Sequence, residues 1–304
     1  MPLKAHLESN MEAVVINRFK LTNCHGMQVE IIDFGARIAS IKFPVAGDLV
    51  EMILGHNDSR DYLDDRFYLG ATCGRVCNRI GSATFMLDEQ RYLLGKNDNQ
   101  NCLHGGESNF SMRTWIVDQD SCSNSSITLT LISSDNDQGF PGELMVSVTY
   151  QLTDDNQLII NYSAKTDAPT PVNLTNHAYF NLGERDARSL HLQLNANHYL
   201  MLDNHNVPTG EIIDVSGNDF DLRAGAIVGD IEQRTNSQVL KNMRGFDHCF
   251  VLNDSGDNQP QAILSSLKNN LKMSLYTDQK SVQLYTGAYL GGDFFPYQGL
   301  CLEA

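Results

Sequence analysis

From Leu144 to Leu152 the chain alternates. Leu144, Val146, Val148, Tyr150 and Leu152 are separated by Met145, Ser147, Thr149 and Gln151. A period of two places successive side chains on opposite faces of an extended backbone, so this stretch predicts a half-buried β-strand. Ile127, Leu129 and Leu131 alternate with Thr128 and Thr130 in the same way, and Leu190, Leu192 and Leu194 alternate with His191, Gln193 and Asn195. Shorter strand candidates lie at 29–32, 39–43, 158–162, 249–252, 272–276 and 282–285. Turn-forming clusters separate them at 97–101, 133–139 and 253–258. Helical patterns are short, the best at 60–65 and 230–234. Many short strands, few helices and closely spaced turns predict an all-β sandwich or barrel. Such folds run past 200 residues as one unit. With no linker and no repeat in the sequence, 1–304 reads as a single domain.

Charge narrows the partners. The 22 basic and 37 acidic residues leave a formal net charge of −15. That excess argues against a nucleic-acid backbone or an anionic membrane surface, both of which need clustered Lys and Arg. It also disfavours a heavily phosphorylated substrate. Hydrophobic residues make up 41% of the chain and charged ones 19%, enough apolar material for a core and too much for general disorder. The N-terminus has no apolar h-region and no small-residue cleavage site, so no signal peptide is expected. No stretch approaches the roughly 20 apolar residues of a membrane helix. Seven scattered cysteines, an odd number, predict reduced thiols in a cytoplasmic protein. Cys73 and Cys77 are not followed by a second Cys/His pair at zinc-site spacing, so no metal is expected. The N-x-S/T triplets at Asn124 and Asn173 read as polar loops.

Four runs combine Gly or Asn punctuation with ionisable groups. In Gly74-Arg75-Val76-Cys77-Asn78-Arg79-Ile80-Gly81, two arginines four apart suit an anion or a polyhydroxylated ligand, or else the protein's own excess acid. Asn101-Cys102-Leu103-His104-Gly105-Gly106 sets a histidine on backbone that bends sharply. Pro171 to Leu182 (PVNLTNHAYFNL) places Asn173, Asn176 and His177 among aromatic residues, the means by which hydroxyls and the CH face of a sugar are held. Gly245-Phe246-Asp247-His248 joins a carboxylate to an imidazole. Each run also has a structural reading as a strand-end turn with satisfied polar groups.

Taken together, GRVCNRI, LHGG, NLTNHAYFNL, GFDH, VQLYTG and GLCLE resemble, in order, the motifs of the aldose 1-epimerase (galactose mutarotase) family. Gln138-Gly139-Phe140-Pro141-Gly142 and the neighbouring 146–153 strand are similar to it as well. The likeness runs from about Gly35 to Glu303 and implies a large antiparallel β-sandwich. It implies an isomerase that interconverts the α and β anomers of free hexoses such as galactose and glucose, with no cofactor. By the same resemblance Asn78, Arg79, His104, Asp247 and Gln283 bind substrate, and His104 is also catalytic, contacting the anomeric centre and stabilising charge that develops on its oxygens. His177 is the general acid on the ring oxygen and Glu303 the general base. Two other readings share the fold: a non-catalytic sugar-binding module and a hexose-6-phosphate epimerase. Either a monomer or a homodimer is compatible with the sequence. Family members usually continue beyond the glutamate, and this sequence lacks that segment. A strand over 299–303 whose neighbour on one side is missing or replaced, leaving an exposed edge, is therefore expected. His104, His177, Asp247 and Arg79 are expected to converge on one cleft, since strand-end loops gather on one face of a sandwich.

Overall fold

A computed structural model describes residues 15–254, 256 and 259–304. The segment read for a leader lies almost wholly outside these residues, and the 253–258 turn lies partly outside them. The alternating stretches form the expected strands. Ser126–Ser133, Leu144–Leu152 and Leu158–Thr166 pair antiparallel, and Ile116–Asp118 completes a four-stranded sheet. Leu144, Val146, Val148, Tyr150 and Leu152 are buried, while Met145 and Gln151 face out. Each such apolar side chain contributes about 1.5–3 kcal/mol by leaving water. Tyr150 is buried whole because its hydroxyl is satisfied, donating to the Ala36 carbonyl at 2.6 Å.

A second four-stranded sheet joins Arg18–Thr22, Gln28–Ile32, Arg37–Val45 and Asp48–Glu51, and a third contains His191–Leu194, Ala262–Ser266 and Leu271–Leu275. The largest has six strands in the order Tyr179–Phe180, Leu300–Glu303, Ser281–Tyr285, Asp247–Leu252, Ala196–Leu202, Pro208–Asp214. Inward side chains from all four merge in one apolar core running from Leu21 to Leu302. The fold is an all-β sandwich, one of the two architectures that the alternation allows and the one that the family resemblance implies.

Three details depart from the sequence reading. The 60–65 pattern forms a 3₁₀ helix over Ser59–Asp64, and the 230–234 pattern forms an α-helix over Val228–Arg234. A second α-helix, Gln238–Met243, was not expected. Ser237 caps it by accepting from the Leu240 N–H, and Arg244 ends it in the left-handed conformation. The expectation of an exposed edge at 299–303 fails. Leu300–Glu303 pairs with Ser281–Tyr285 on one side and with Tyr179–Phe180 on the other. The short Tyr179–Phe180 strand supplies the neighbour, and Glu303 sits inside the sheet.

Candidate active site

Backbone hydrogen bonds hold His177 on both its N–H and its carbonyl. It follows the Thr175–Asn176 strand, which pairs with Thr72–Cys73. Its N–H donates to the Ala71 carbonyl at 2.9 Å, and its carbonyl accepts from the Gly70 N–H at 3.0 Å. Gly70 is required there: its φ is +62°, and a Cβ would lie 1.9 Å from the Ile38 carbonyl oxygen. The Gly70 carbonyl also accepts from the Asn176 side-chain amide. Thus Asn176 acts on His177 through the backbone.

His104 arrives from the other direction. The Cys102–Leu103 strand pairs with Arg79–Ile80, and the His104 N–H donates to the Asn78 carbonyl at 3.0 Å. The Asn78 N–H in turn donates to His104 Nδ1 at 3.3 Å. A neutral imidazole whose Nδ1 accepts carries its proton on Nε2. His104 is therefore a fixed Nε2–H donor. Tyr68, Asn78 and His104 all have positive φ, at 58°, 59° and 52°, without being glycine, and such strain concentrates at functional sites.

Glu303 enters from the six-stranded sheet. Its cross-strand partner is Gln283, whose amide donates to Asp247 Oδ1 at 2.6 Å. Arg79 lies beside them, with Nε bonded to Asp98 at 2.8 Å and Nη1 3.9 Å from Asp247. Glu303 Oε1 is 3.6 Å from His177 Nε2. The His104 and His177 rings stand edge to face with centroids 5.3 Å apart. The structure thus brings His104, His177, Asn78, Arg79, Asp247, Gln283 and Glu303 into one continuous group of contacts.

Burial sets the protonation of the group. It pushes the Glu303 carboxyl up to about 8, with Asp247 adding to the rise and Arg79 opposing it. It pulls His177 down to about 4 and His104 well below the ordinary imidazole value. Asp247 is also raised by burial, with Arg79 and Gln283 opposing. In the free site the His177–Glu303 pair therefore holds one proton, on the carboxyl, across neutral pH. Ligating atoms of His104, His177 and Glu303 lie within 4.8 Å of one another and can offer a divalent metal three positions. His104 would do so only by giving up its bond from Asn78, because Nε2 must be bare to ligate.

The two arginines of the first run separate. Arg75 is buried and donates to the carbonyls of Ser133, Ser134, Pro141 and Gly142, so it organises the 133–142 turn rather than facing a ligand. His248 is a core residue: its Nδ1 accepts from the Asp247 N–H, and its ring packs edge-on against Phe220. The sequence reading missed Tyr68, whose ring lies 4.6 Å from that of His104 and 5.7 Å from that of His177. It also missed Asp98, the carboxylate that orients Arg79. Asp98 stands in the 97–101 cluster, which signalled only a turn, and nothing local marks Tyr68.

Comparison with known proteins places the chain in a family. The family described as aldose 1-epimerase matches residues 17–304. Aldose 1-epimerase of Escherichia coli K12 is 37% identical over 93% of this chain and 84% of its own length. Human galactose mutarotase is 35% identical, over 91% and 82%. Among solved structures, galactose 1-epimerase from Lactobacillus acidophilus superposes with a TM-score of 0.87 at 31% identity, covering 97% of this chain and 87% of that one. An aldose epimerase homologue from C. elegans gives 0.88 at 27% identity, over 95% and 89%. With its motifs in order, its strands in place and the match running from residue 17 to residue 304, this chain belongs to the aldose 1-epimerase family.

Proposed function

We propose that this protein interconverts the α and β anomers of free hexoses, galactose and glucose among them, by acid–base opening and closing of the ring. The observation that carries the proposal is the buried pair of His177 Nε2 and Glu303 Oε1, 3.6 Å apart and flanked by the Nε2–H of His104. In the productive complex Glu303 is ionised and His177 protonated. Glu303 takes the C1 hydroxyl proton, the C1–ring-oxygen bond breaks as C1 becomes a carbonyl, and His177 Nε2 protonates the ring oxygen. Rotation about C1–C2 and the reverse steps close the ring on the other face.

The pair holds one proton before and after opening, and only its position changes. The neutral pair that burial favours in the free site is the form that ring opening leaves behind. Sugar binding must therefore shift the proton from Glu303 to His177, and the attraction of Arg79 for the carboxylate helps it. Positioned acid–base groups contribute roughly 10²–10⁴ in rate, ample for a reaction that water performs slowly, and the step balances without a cofactor. Asp247, Gln283, Asn78 and Arg79 hold sugar hydroxyls, and His104 donates to an oxygen at the anomeric centre.

Arg79 is already paired with Asp98, which favours a neutral sugar over a hexose 6-phosphate. The protein is further read as a single cytoplasmic domain, monomeric or homodimeric, which size-exclusion chromatography with light scattering would measure. No helix among the described residues is long and apolar enough to cross a membrane. Polarimetry on fresh α-galactose and α-glucose, with and without protein, tests the activity. No acceleration over buffer refutes it and leaves the non-catalytic sugar-binding reading.

A further inference from the structure

The cycle proposed above leaves one carboxylate of the site without a task. Asp98 belongs to the 97–101 turn, which is clamped on both sides. The Asn97 side chain brackets Leu103, accepting from its N–H at 2.7 Å and donating to its carbonyl at 2.9 Å. The Asn101 side chain accepts from the Ser82 N–H at 3.1 Å, and the Asn101 backbone N–H donates to the Asp98 carbonyl at 2.8 Å. Leu103 is itself the cross-strand partner of Arg79. Asp98 is therefore a fixed anion beside Arg79. One of its oxygens accepts from Arg79 Nε at 2.8 Å and the other from the Asn99 side-chain amide at 3.2 Å. The Arg79 and Asp98 side chains are 15% and 24% exposed, so water competes weakly for their bond. Arg79 Nη1 lies 3.9 Å from Oδ2 of Asp247, beyond hydrogen-bond reach. Among the described residues Arg79 is the one cation beside Asp247, and neither of its Nη groups donates a hydrogen bond to the protein. One guanidinium thus stands between two carboxylates and is bonded to only one of them.

We propose that Asp98 is a positioning residue for Arg79: its hold on Nε keeps the guanidinium off Asp247, so that both Nη groups and Asp247 Oδ2 stay free to bind sugar hydroxyls. This rests on the mutarotase reading of the site, in which Arg79 and Asp247 hold those hydroxyls. Released from Asp98, the flexible arginine stem needs to advance only about 1 Å for Nη1 to reach bonding distance of Asp247. The resulting pair is charge-assisted, and an uncharged sugar has to break it to reach either partner. Asp98 itself touches no substrate; its effect passes through Arg79. The turn does not need its carboxyl, because Asn97, Asn101 and the Asp98 backbone carbonyl hold it.

The test is a double-mutant cycle on the full chain, with Asp98→Ala, Arg79→Ala and the two together. The Kd for galactose is read by saturation-transfer-difference NMR and kcat by polarimetry. Asp98→Ala is expected to weaken galactose binding roughly 10-fold, the scale of one lost charge-assisted contact, with kcat within about three-fold of wild type. Because Asp98 acts only through Arg79, the double variant is expected to bind like Arg79→Ala, within about two-fold. Asp98→Asn, which keeps an acceptor for Nε without the charge, is expected to fall between wild type and Asp98→Ala. If Asp98→Ala does not fold, Asp98→Asn with Arg79→Ala closes the same cycle. An unchanged Kd in Asp98→Ala overturns the proposal. Losses that multiply in the double variant also overturn it, since that is the result for a carboxylate that only supports its turn. A wild type that binds galactose without accelerating its mutarotation overturns the catalytic reading alone, because Kd is read without turnover. A wild type that binds no galactose overturns both.

Discussion

Replacing Glu303 with Gln should make the protein more stable, and increasingly so as pH rises. Its side chain is 6% exposed, and burial holds the carboxyl at about 8 against an ordinary value of 4.5. The unfolded chain ionises Glu303 near 4.5, while the native state retains the proton until about 8. Between those values the native state binds more protons than the unfolded one, so stability falls with rising pH. The loss accumulates at about 1.4 kcal/mol per pH unit, on the order of 5 kcal/mol by pH 9. Glutamine preserves shape and hydrogen-bonding capacity and has no charge to bury. The two proteins should therefore melt together at pH 4–5, with the Glu303→Gln variant ahead by roughly 5–10 °C at pH 9, at about 2 °C per kcal/mol for a chain of this size. Thermal melts followed by circular dichroism at pH 5, 7 and 9 measure the difference, and other titrating groups cancel because both proteins share them. A gap independent of pH would refute the reasoning, as would a variant that melts lower at pH 9.

The same substitution should abolish most mutarotation, and a wild-type-like rate from Glu303→Gln in polarimetry would remove Glu303 as base. His177→Asn should lower kcat by about 10² or more while KM moves little, because proton delivery is a transition-state function; a raised KM at unchanged kcat would leave His177 a binding residue. After subtraction of the uncatalysed rate, kcat/KM should be bell-shaped, with limbs near 4 and 8. Below the first limb the pair holds two protons and lacks a base, and above the second it holds none and lacks an acid; a steady rise to pH 10 would exclude a one-proton pair. Arg75→Lys should cost about 2–4 kcal/mol in urea unfolding, since an ammonium cannot satisfy four carbonyls from the guanidinium's place; a midpoint unchanged from wild type would show that the 133–142 turn stands without it.

Strand alternation is local, and for that reason the sequence alone determined the fold class: a period of two at 144–152 is meaningful only on a sheet with one face buried. The motif order determined the family likewise, because each motif is a short contiguous run. Partners distant along the chain were decided only by the tertiary structure. Arg75 and Arg79 look alike in GRVCNRI, yet one meets the carbonyls of a turn 58 residues and more along the chain and the other meets Asp98 and Asp247. The last strand reads as an edge until Tyr179–Phe180, from a distant part of the chain, pairs with it. Desolvation is the least local quantity of all. Whether Glu303 is a free carboxylate or a buried acid, and which nitrogen of His104 carries the proton, depends on the sheets and the Asn78 backbone closing around them. Hydrogen bonds and lost water act across space, and no spacing along the chain encodes them.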